Sequence, residues 1–482
     1  MQETFYITTP IYYANSDPHV GSAYTTIAAD VLARWHRLSG DKVFFLTGTD
    51  EHGQKIQEAA EKRGLDPKEF VDETANKFKE LFVLLNISND HFIRTTNPMH
   101  EAEVKKVLQE LYDRQLIYKG EYESHYCVGC EQYLNKSDLV EGKCPLHKII
   151  PEAVKEESYI FRLSAFHGDL IKLIKNKSFK ILPEKRMNEM VSFISSGLQD
   201  ISISRKKSRV YWGIELPFDR QHTCYVWVDA FWNYITGLKE KNSFDDFWPV
   251  NTQLMANDIL RVHATIWPAL LLATNQKVPR TLFIHGYFTV DGQKMSKSLG
   301  NVVSPTKLVE KYGADSVRYF LMRAIPFGQD GNFSENLLIE RHNNELANKL
   351  GNLVLRVATL AEQYGTEKCE NRLIEKLRID EIKIHIQNYE LDKVLIAIFA
   401  FVDTCNEYVQ RKKPWETHDG KAIYELIDSI KATAILLWPF IPDTSEKIAK
   451  VFGFRISSFR DINKPIEIGG IKKPEIFFHK IK

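Results

Sequence analysis

The chain has 482 residues, of which 44% are apolar and 26% charged, and its net charge is +1. That length excludes a single ordinary core and calls for two to four domains, and the composition is that of a soluble globular protein. So neutral a balance excludes a general polycation, so any nucleic-acid partner has to meet a local basic surface.

The opening "MQETFYITTP" lacks the basic and apolar regions of a signal peptide. Residues 4–9, "TFYITT", read as a strand from their aromatic and β-branched content. In "PIYYANSDPHVGSAYTTIAADVLARWHRLSG", Asp17 suits an N-cap, Pro18 the first helical position and Gly40 the stop. Ala23, Ile27, Val31 and Leu32 supply the apolar stripe between them. "KVFFLTGTD" (42–50) is a second strand, and strand, helix, strand at this spacing is a βαβ unit of a parallel sheet.

Residues 115–222 are less regular and read as an insertion, with short β-like runs and a basic cluster, "SRKKSR" (204–209). Within it Cys127-x2-Cys130 and Cys144-x2-His147 form a closed Cys3His set, suited to structural tetrahedral zinc with no open position. Cys224, Cys369 and Cys405 are scattered and expected to be buried thiols, which fits a reducing, cytosolic setting. The α/β pattern returns with "CYVWVDAFWNYI", "LMANDILRVHATIWPALLLA" and the strand-like "TLFIHGYFTV" (281–290). From about 335 the chain becomes helical, with Leu346, Leu350, Leu353, Val357 and Leu360 at helical spacing, and the tail "KKPEIFFHKIK" is a short β-like end. The longest apolar run, "VLIAIFAFV" (394–402), falls short of the roughly 20 residues of a membrane span.

Two stretches carry chemistry. "DPHVGSAY" sets His19 and Gly21 at a helix start, where unpaired N–H groups and the dipole favour an anion. Taken alone, an ordinary helix start explains it better. "VDGQKMSKSLGN" (290–301) sets Lys294 and Lys297 three apart in a Gly-flanked loop able to close on polyphosphate. A solvated basic loop is the bland alternative.

Together these stretches resemble a family. His19-Val20-Gly21-Ser22 and Lys294-Met295-Ser296-Lys297-Ser298 are similar to the HIGH and KMSKS signatures of class I aminoacyl-tRNA synthetases. "TTPIYYAN", "LTGTDEHGQKI", "DISISR", "YVWVDA", "KYGADSVRYF" and "RKKPW" extend the resemblance along nearly the whole chain to the bacterial-type methionyl-tRNA synthetases. The resemblance implies a Rossmann-like α/β catalytic domain in two halves (1–114 and 223–286) around a connective insertion with a zinc knuckle (115–222, the knuckle at 126–148). A KMSKS and stem-contact region (287–345) and an α-helical anticodon-binding bundle (346–482) follow. It also implies ATP with Mg2+, L-methionine and tRNA(Met), including the initiator, as partners, and no membrane. With no appendage after the bundle, a monomer is expected.

Residue by residue, the resemblance gives His19 and Ser22 to catalysis with Lys294 and Lys297, and adds Gly21 and Ser296 to ATP binding. Asp50 matches the carboxylate for the methionine ammonium group, and Arg205 the residue that orients it. Ile11, Tyr13, Trp227, Ala230, Tyr234, Ile259 and His263 match the pocket wall. Asn348, Asn352 and Arg356 match anticodon readers, and Trp415 a base-stacking tryptophan. Two departures stand out: Ser22 replaces the second histidine of the signature, and Ala256-Asn257 stands where many relatives have Gly-Lys. A zinc-finger protein without enzymatic activity would need neither "KMSKS" nor the βα start. The isoleucine, valine and leucine enzymes carry a larger insertion, and the cysteine enzyme uses zinc inside its pocket.

Overall fold

The computed structural model describes residues 3–129, 131–134, 139–145, 148–290, 292–295, 301–471 and 475–482, with only the backbone of Gln132, Gln293 and Lys294. Cys130, His147, Ser296 and Lys297 lie outside the described residues.

At its centre is a wholly parallel sheet. Across it the strands run His91–Arg94, Lys42–Asp50, Thr4–Thr8, Thr252–Ala256, Thr281–His285 and Lys180–Leu182, and the short Tyr12–Tyr13 continues the first strand along Lys42–Asp50. Burial on both faces explains the consecutive apolar residues 43–46 of Lys42–Asp50. Helix Val20–Ser39 covers one face and ends at Gly40, whose φ of 95° is the left-handed conformation that glycine adopts at least cost. The order of strands reverses between Thr4–Thr8 and Thr252–Ala256. A crevice opens there at the carboxyl ends of the strands, the usual ligand position in an open α/β sheet.

The insertion is narrower than 115–222. Its body is an antiparallel sheet of Gln132–Leu134, Ile117–Cys127, Glu152–Phe161 and Ile201–Ser202. Lys180–Leu182, by contrast, pairs with Thr281–Phe283 as the edge of the central sheet, and helices His167–Lys175 and Glu184–Ser195 flank it. Three residues are too few for a period-2 pattern to show. A second small sheet joins Ser204–Lys206, Asp219–Cys224 and Glu215–Leu216.

From Glu335 to Phe452 the chain is mainly helical. Its core is continuous with the Val20–Ser39 face of the sheet, because both share one apolar cluster. The tail forms no strand over 475–482 and instead packs on the bundle: Asn343 donates to the Ile481 carbonyl at 2.8 Å and accepts its N–H at 2.9 Å. Cys224 and Cys405 are buried as expected, whereas Cys369 is half-buried. Among the described residues no helix is long and apolar enough to cross a membrane.

Candidate active site

The start of the first long helix is built differently from the expected Asp17 cap. Asp17 pairs with Lys77 at 2.7 Å, and the N-cap is His19. Its Nδ1 accepts the Gly21 N–H at 3.0 Å, which places the neutral ring's proton on Nε2. A Cβ on residue 21 would lie 2.8 Å from the His19 ring, so glycine is required for the ring to fold over the backbone. Ser22 Oγ accepts the His19 N–H at 3.1 Å and donates to the His19 carbonyl at 2.7 Å, completing a capping box. Its single proton is therefore committed to the cap. The Val20 N–H donates to the Val303 carbonyl at 3.1 Å, tying the helix start to the chain just beyond the Lys-Met-Ser-Lys-Ser loop.

His19, Gly21 and Ser22 open onto a cavity of about 350 Å3 at the crevice. Ile11, Tyr13, Asp50, Trp227, Ala230, Tyr234, Ile259 and His263 all line it, so every residue expected of the amino-acid pocket except Arg205 converges there. Met295, inside the loop signature, lines it too. Tyr13 meets the Trp227 ring edge-on at 6.1 Å, and His263 meets Phe231 edge-on at 4.9 Å, giving an aromatic, polarisable wall.

The polar groups of the wall divide into satisfied and orphaned. His263 donates from Nδ1 to the Ile259 carbonyl at 2.9 Å, so its Nε2 accepts the Tyr234 hydroxyl at 2.9 Å. Burial pushes this histidine down to about 4, leaving a neutral wall. Asp50, 3% exposed at the end of its strand, has an Oδ1 with no hydrogen-bond partner. Burial first, and then the Asp229, Glu131 and Glu51 carboxylates, push its carboxyl well above the usual range. The Tyr13 hydroxyl and Trp227 Nε1 also lack partners. An incoming cation relieves such an arrangement. A larger cavity of about 700 Å3 lies at the opposite, amino-terminal ends of the strands, and no side chain lining it carries an orphaned buried polar atom.

Arg205 does not reach Asp50. Its guanidinium stacks against Tyr126, Tyr133 and Tyr225 at 4.5–4.8 Å and donates to the Ser204 carbonyl at 2.7 Å. The cage of rings holds it in the insertion. The rest of "SRKKSR" is partly neutralised, since Arg209 pairs with Glu152 at 2.5 Å and Lys207 with Glu215.

Several residues of the site escaped the sequence reading. His285, at the end of Thr281–His285, hydrogen-bonds Thr25 Oγ1 through Nε2 at 2.7 Å, and burial pushes it down to about 4. Lys55 lines the cavity with its ammonium 4.9 Å from the Tyr13 ring centre. Behind the wall, Asp229 bridges His52 at 2.7 Å and His100 at 2.8 Å; burial raises its carboxyl, but the two imidazoles outweigh that and hold it at about 2. A signal existed for His285 alone, the first polar residue after an apolar strand. Asn257, in the departure from Gly-Lys, keeps a buried Oδ1 without a partner.

Elsewhere, Cys127 and Cys144 are buried in one small cluster with Leu134. Around them the Glu131 N–H bonds the Val128 carbonyl at 3.3 Å and the Lys148 N–H the Cys144 carbonyl at 2.8 Å. Among the described residues no three metal-ligating side chains converge, two of the expected four lying outside them. In the bundle Asn352 is exposed, while Asn348, Arg356 and Trp415 are half-buried. His342–Gly351 winds in wide π-type turns before the regular helix Asn352–Tyr364, so the three polar residues do not follow one straight i, i+4, i+8 line. The stacking of Tyr364 on His418, 4.3 Å between centres, brings the end of that helix beside the Trp415 segment.

The chain matches the family model of class I tRNA synthetases (M) over residues 5–150 and 137–358, and that of the anticodon-binding domain of tRNA ligases over 376–469. It is 42% identical to a methionine–tRNA ligase of Caldanaerobacter subterraneus across 100% of its own length and 79% of that protein. It is 40% identical to one of Rickettsia bellii across 97% of its length and 98% of that protein. Its fold superposes on Mycobacterium tuberculosis methionyl-tRNA synthetase in complex with methionyl-adenylate with a TM-score of 0.92, at 34% identity over 98% of this chain and 99% of that one. With a helix-capping histidine and a carboxyl oxygen without a partner facing one crevice of a parallel sheet, and a helical bundle behind it, the chain belongs to the methionyl-tRNA synthetases of class I.

Proposed function

We propose that this chain activates L-methionine with ATP to methionyl-adenylate and pyrophosphate, and transfers the methionyl group to the 3′ end of tRNA(Met), initiator included. The observation that carries this reading is Asp50: a buried carboxyl group with one unpartnered oxygen, in an aromatic cavity that also receives His19. The ammonium group of methionine supplies the missing partner, and its thioether fits the wall of Ile11, Tyr13, Trp227, Ala230, Tyr234, Ile259 and His263.

The methionine carboxylate then attacks the α-phosphorus of ATP in line, where positioning and charge stabilisation do most of the catalysis. His19, proton on Nε2, donates to the α-phosphate as charge builds. Ser22 acts through the cap that holds His19 rather than on the nucleotide itself. Lys294, Ser296 and Lys297 bind the departing pyrophosphate, and Mg2+ arrives with ATP as part of the substrate. In the bundle Asn348, Asn352, Arg356 and Trp415 read the anticodon by amide and guanidinium bonds to base edges and by stacking. Cys127, Cys130, Cys144 and His147 hold one structural Zn2+, which orders the insertion and takes no part in the reaction. The protein works as a cytoplasmic monomer.

ATP–pyrophosphate exchange across the twenty amino acids tests the reading, and methionine alone is expected to support it. Lys297→Ala is expected to reduce exchange by orders of magnitude with methionine affinity little changed; near-normal exchange would remove the lysine from the mechanism. Metal analysis is expected to return about one zinc per chain, and a folded protein without metal defeats the Cys3His assignment.

A further inference from the structure

Helix Gln54–Arg63 begins four residues after Asp50, and its N-cap is Gly53, which has no side chain to satisfy the first helical N–H groups. The missing acceptor arrives from the insertion. Glu131 Oε1 accepts the Lys55 N–H at 3.2 Å across 76 positions of sequence. A Cβ on residue 53 would meet that same oxygen at 3.0 Å, so the glycine makes room for a carboxylate from elsewhere. A carboxylate at this end also complements the helix dipole.

Glu131 is held from several sides. It is 1% exposed, and its φ of 49° lies in the left-handed region that non-glycine residues seldom occupy. Its carbonyl accepts the Tyr225 hydroxyl, and Tyr225 stands two residues before Trp227. One residue thus grips both walls of the cavity: the Asp50–Lys55 turn through its side chain and the Tyr225–Trp227 segment through its backbone.

The geometry points to Glu131 as the positioning residue by which the insertion sets the shape of the amino-acid pocket, an inference that rests on that pocket being the methionine site. Glu131 touches no substrate; it fixes the turn that carries Asp50 and Lys55. Without its acceptor the first turn of Gln54–Arg63 loosens, and Asp50 no longer meets the ammonium group squarely.

The test is ATP–pyrophosphate exchange with Glu131→Ala and Glu131→Gln in the full chain, at saturating methionine and saturating ATP in turn. E131A is expected to raise the KM for methionine at least tenfold, with the KM for ATP within twofold of the parent. E131Q keeps an acceptor oxygen and is expected to restore the methionine KM to within threefold. If E131A does not fold, E131D, one methylene short of Lys55, replaces it with the same expected KM. An unchanged methionine KM in E131A, a fall in kcat at constant KM, or E131Q as impaired as E131A overturns the inference. Absence of methionine-dependent exchange in the parent chain would instead overturn the proposed function.

Discussion

Two clusters of buried charge flank the same sheet, one behind its first helix and one at the carboxyl ends of its strands, and they are finished to different degrees. In the first, Asp30 accepts Arg34 at 2.8 Å and Arg318 at 2.7 Å through one oxygen, and the Ser88 N–H and hydroxyl at 2.7 and 2.6 Å through the other. Arg318, fully buried, also donates to the carbonyls of Phe440, Pro439 and Leu85. Carboxylate and guanidinium both end on protein atoms, and the knot clamps the first helix to the helical half. In the second cluster Asp50, at the wall of the cavity, keeps a buried Oδ1 without a partner. A structural cluster closes on itself, whereas a binding cluster keeps valences for its ligand.

Breaking the closed cluster gives the largest expected effect on stability. Arg318→Met leaves Asp30 underpaired and three carbonyls orphaned, which costs about 3–5 kcal/mol. Thermal and denaturant unfolding report it, and a loss under about 1 kcal/mol would erase the contrast. The open cluster behaves the other way. Asp50→Asn is expected to lower kcat/KM for methionine by about 100-fold, equivalent to about 2.7 kcal/mol, while the unfolding midpoint holds or rises because a strained buried carboxyl is gone. A variant that loses stability and activity together would make Asp50 structural.

Protonation sharpens the comparison further. His285 stays neutral in the fold down to about 4, whereas in the unfolded chain it gains a proton near 6.5. The unfolded state therefore binds more protons in that window, and stability falls as pH drops through it, by about 1.4 kcal/mol per unit. His285→Gln is expected to make the loss between pH 6.5 and pH 5 shallower by about 2 kcal/mol, and equal slopes in urea melts across that range would refute the buried neutral state. Trp415→Ala, outside both clusters, gives the smallest effect: about tenfold slower tRNA charging, or about 1.4 kcal/mol, with pyrophosphate exchange intact. Loss of both activities would mark the tryptophan as part of the core.

What could be read in advance follows from range. Strand 42–50 has the bounds expected of it, and Gly40 ends its helix as expected, because both depend on neighbours in sequence. The start of that helix moved from Asp17 to His19 once Lys77 paired with Asp17 and an imidazole supplied the cap. Asp50 and the pocket wall were legible only as a joint match to a family pattern, since each aromatic by itself is ordinary core. The ring cage around Arg205 could not be foreseen, because its tyrosines come from three separate strands and loops. Lys180–Leu182 was assigned to the insertion because only its partner strand reveals its sheet. Glu131 left no trace at all, since its partner is a backbone N–H across the fold.

The bond from Val20 to Val303 has a consequence in time. The helix start at His19 rests on a residue made long after it, and the first strand finds its second neighbour only at Thr252–Ala256. A chain emerging from the ribosome can fold its first βαβ unit early, yet it cannot assemble the crevice until most of its length has been synthesised. Truncated products of translation therefore carry the signature histidine without a working site, and cannot draw down ATP.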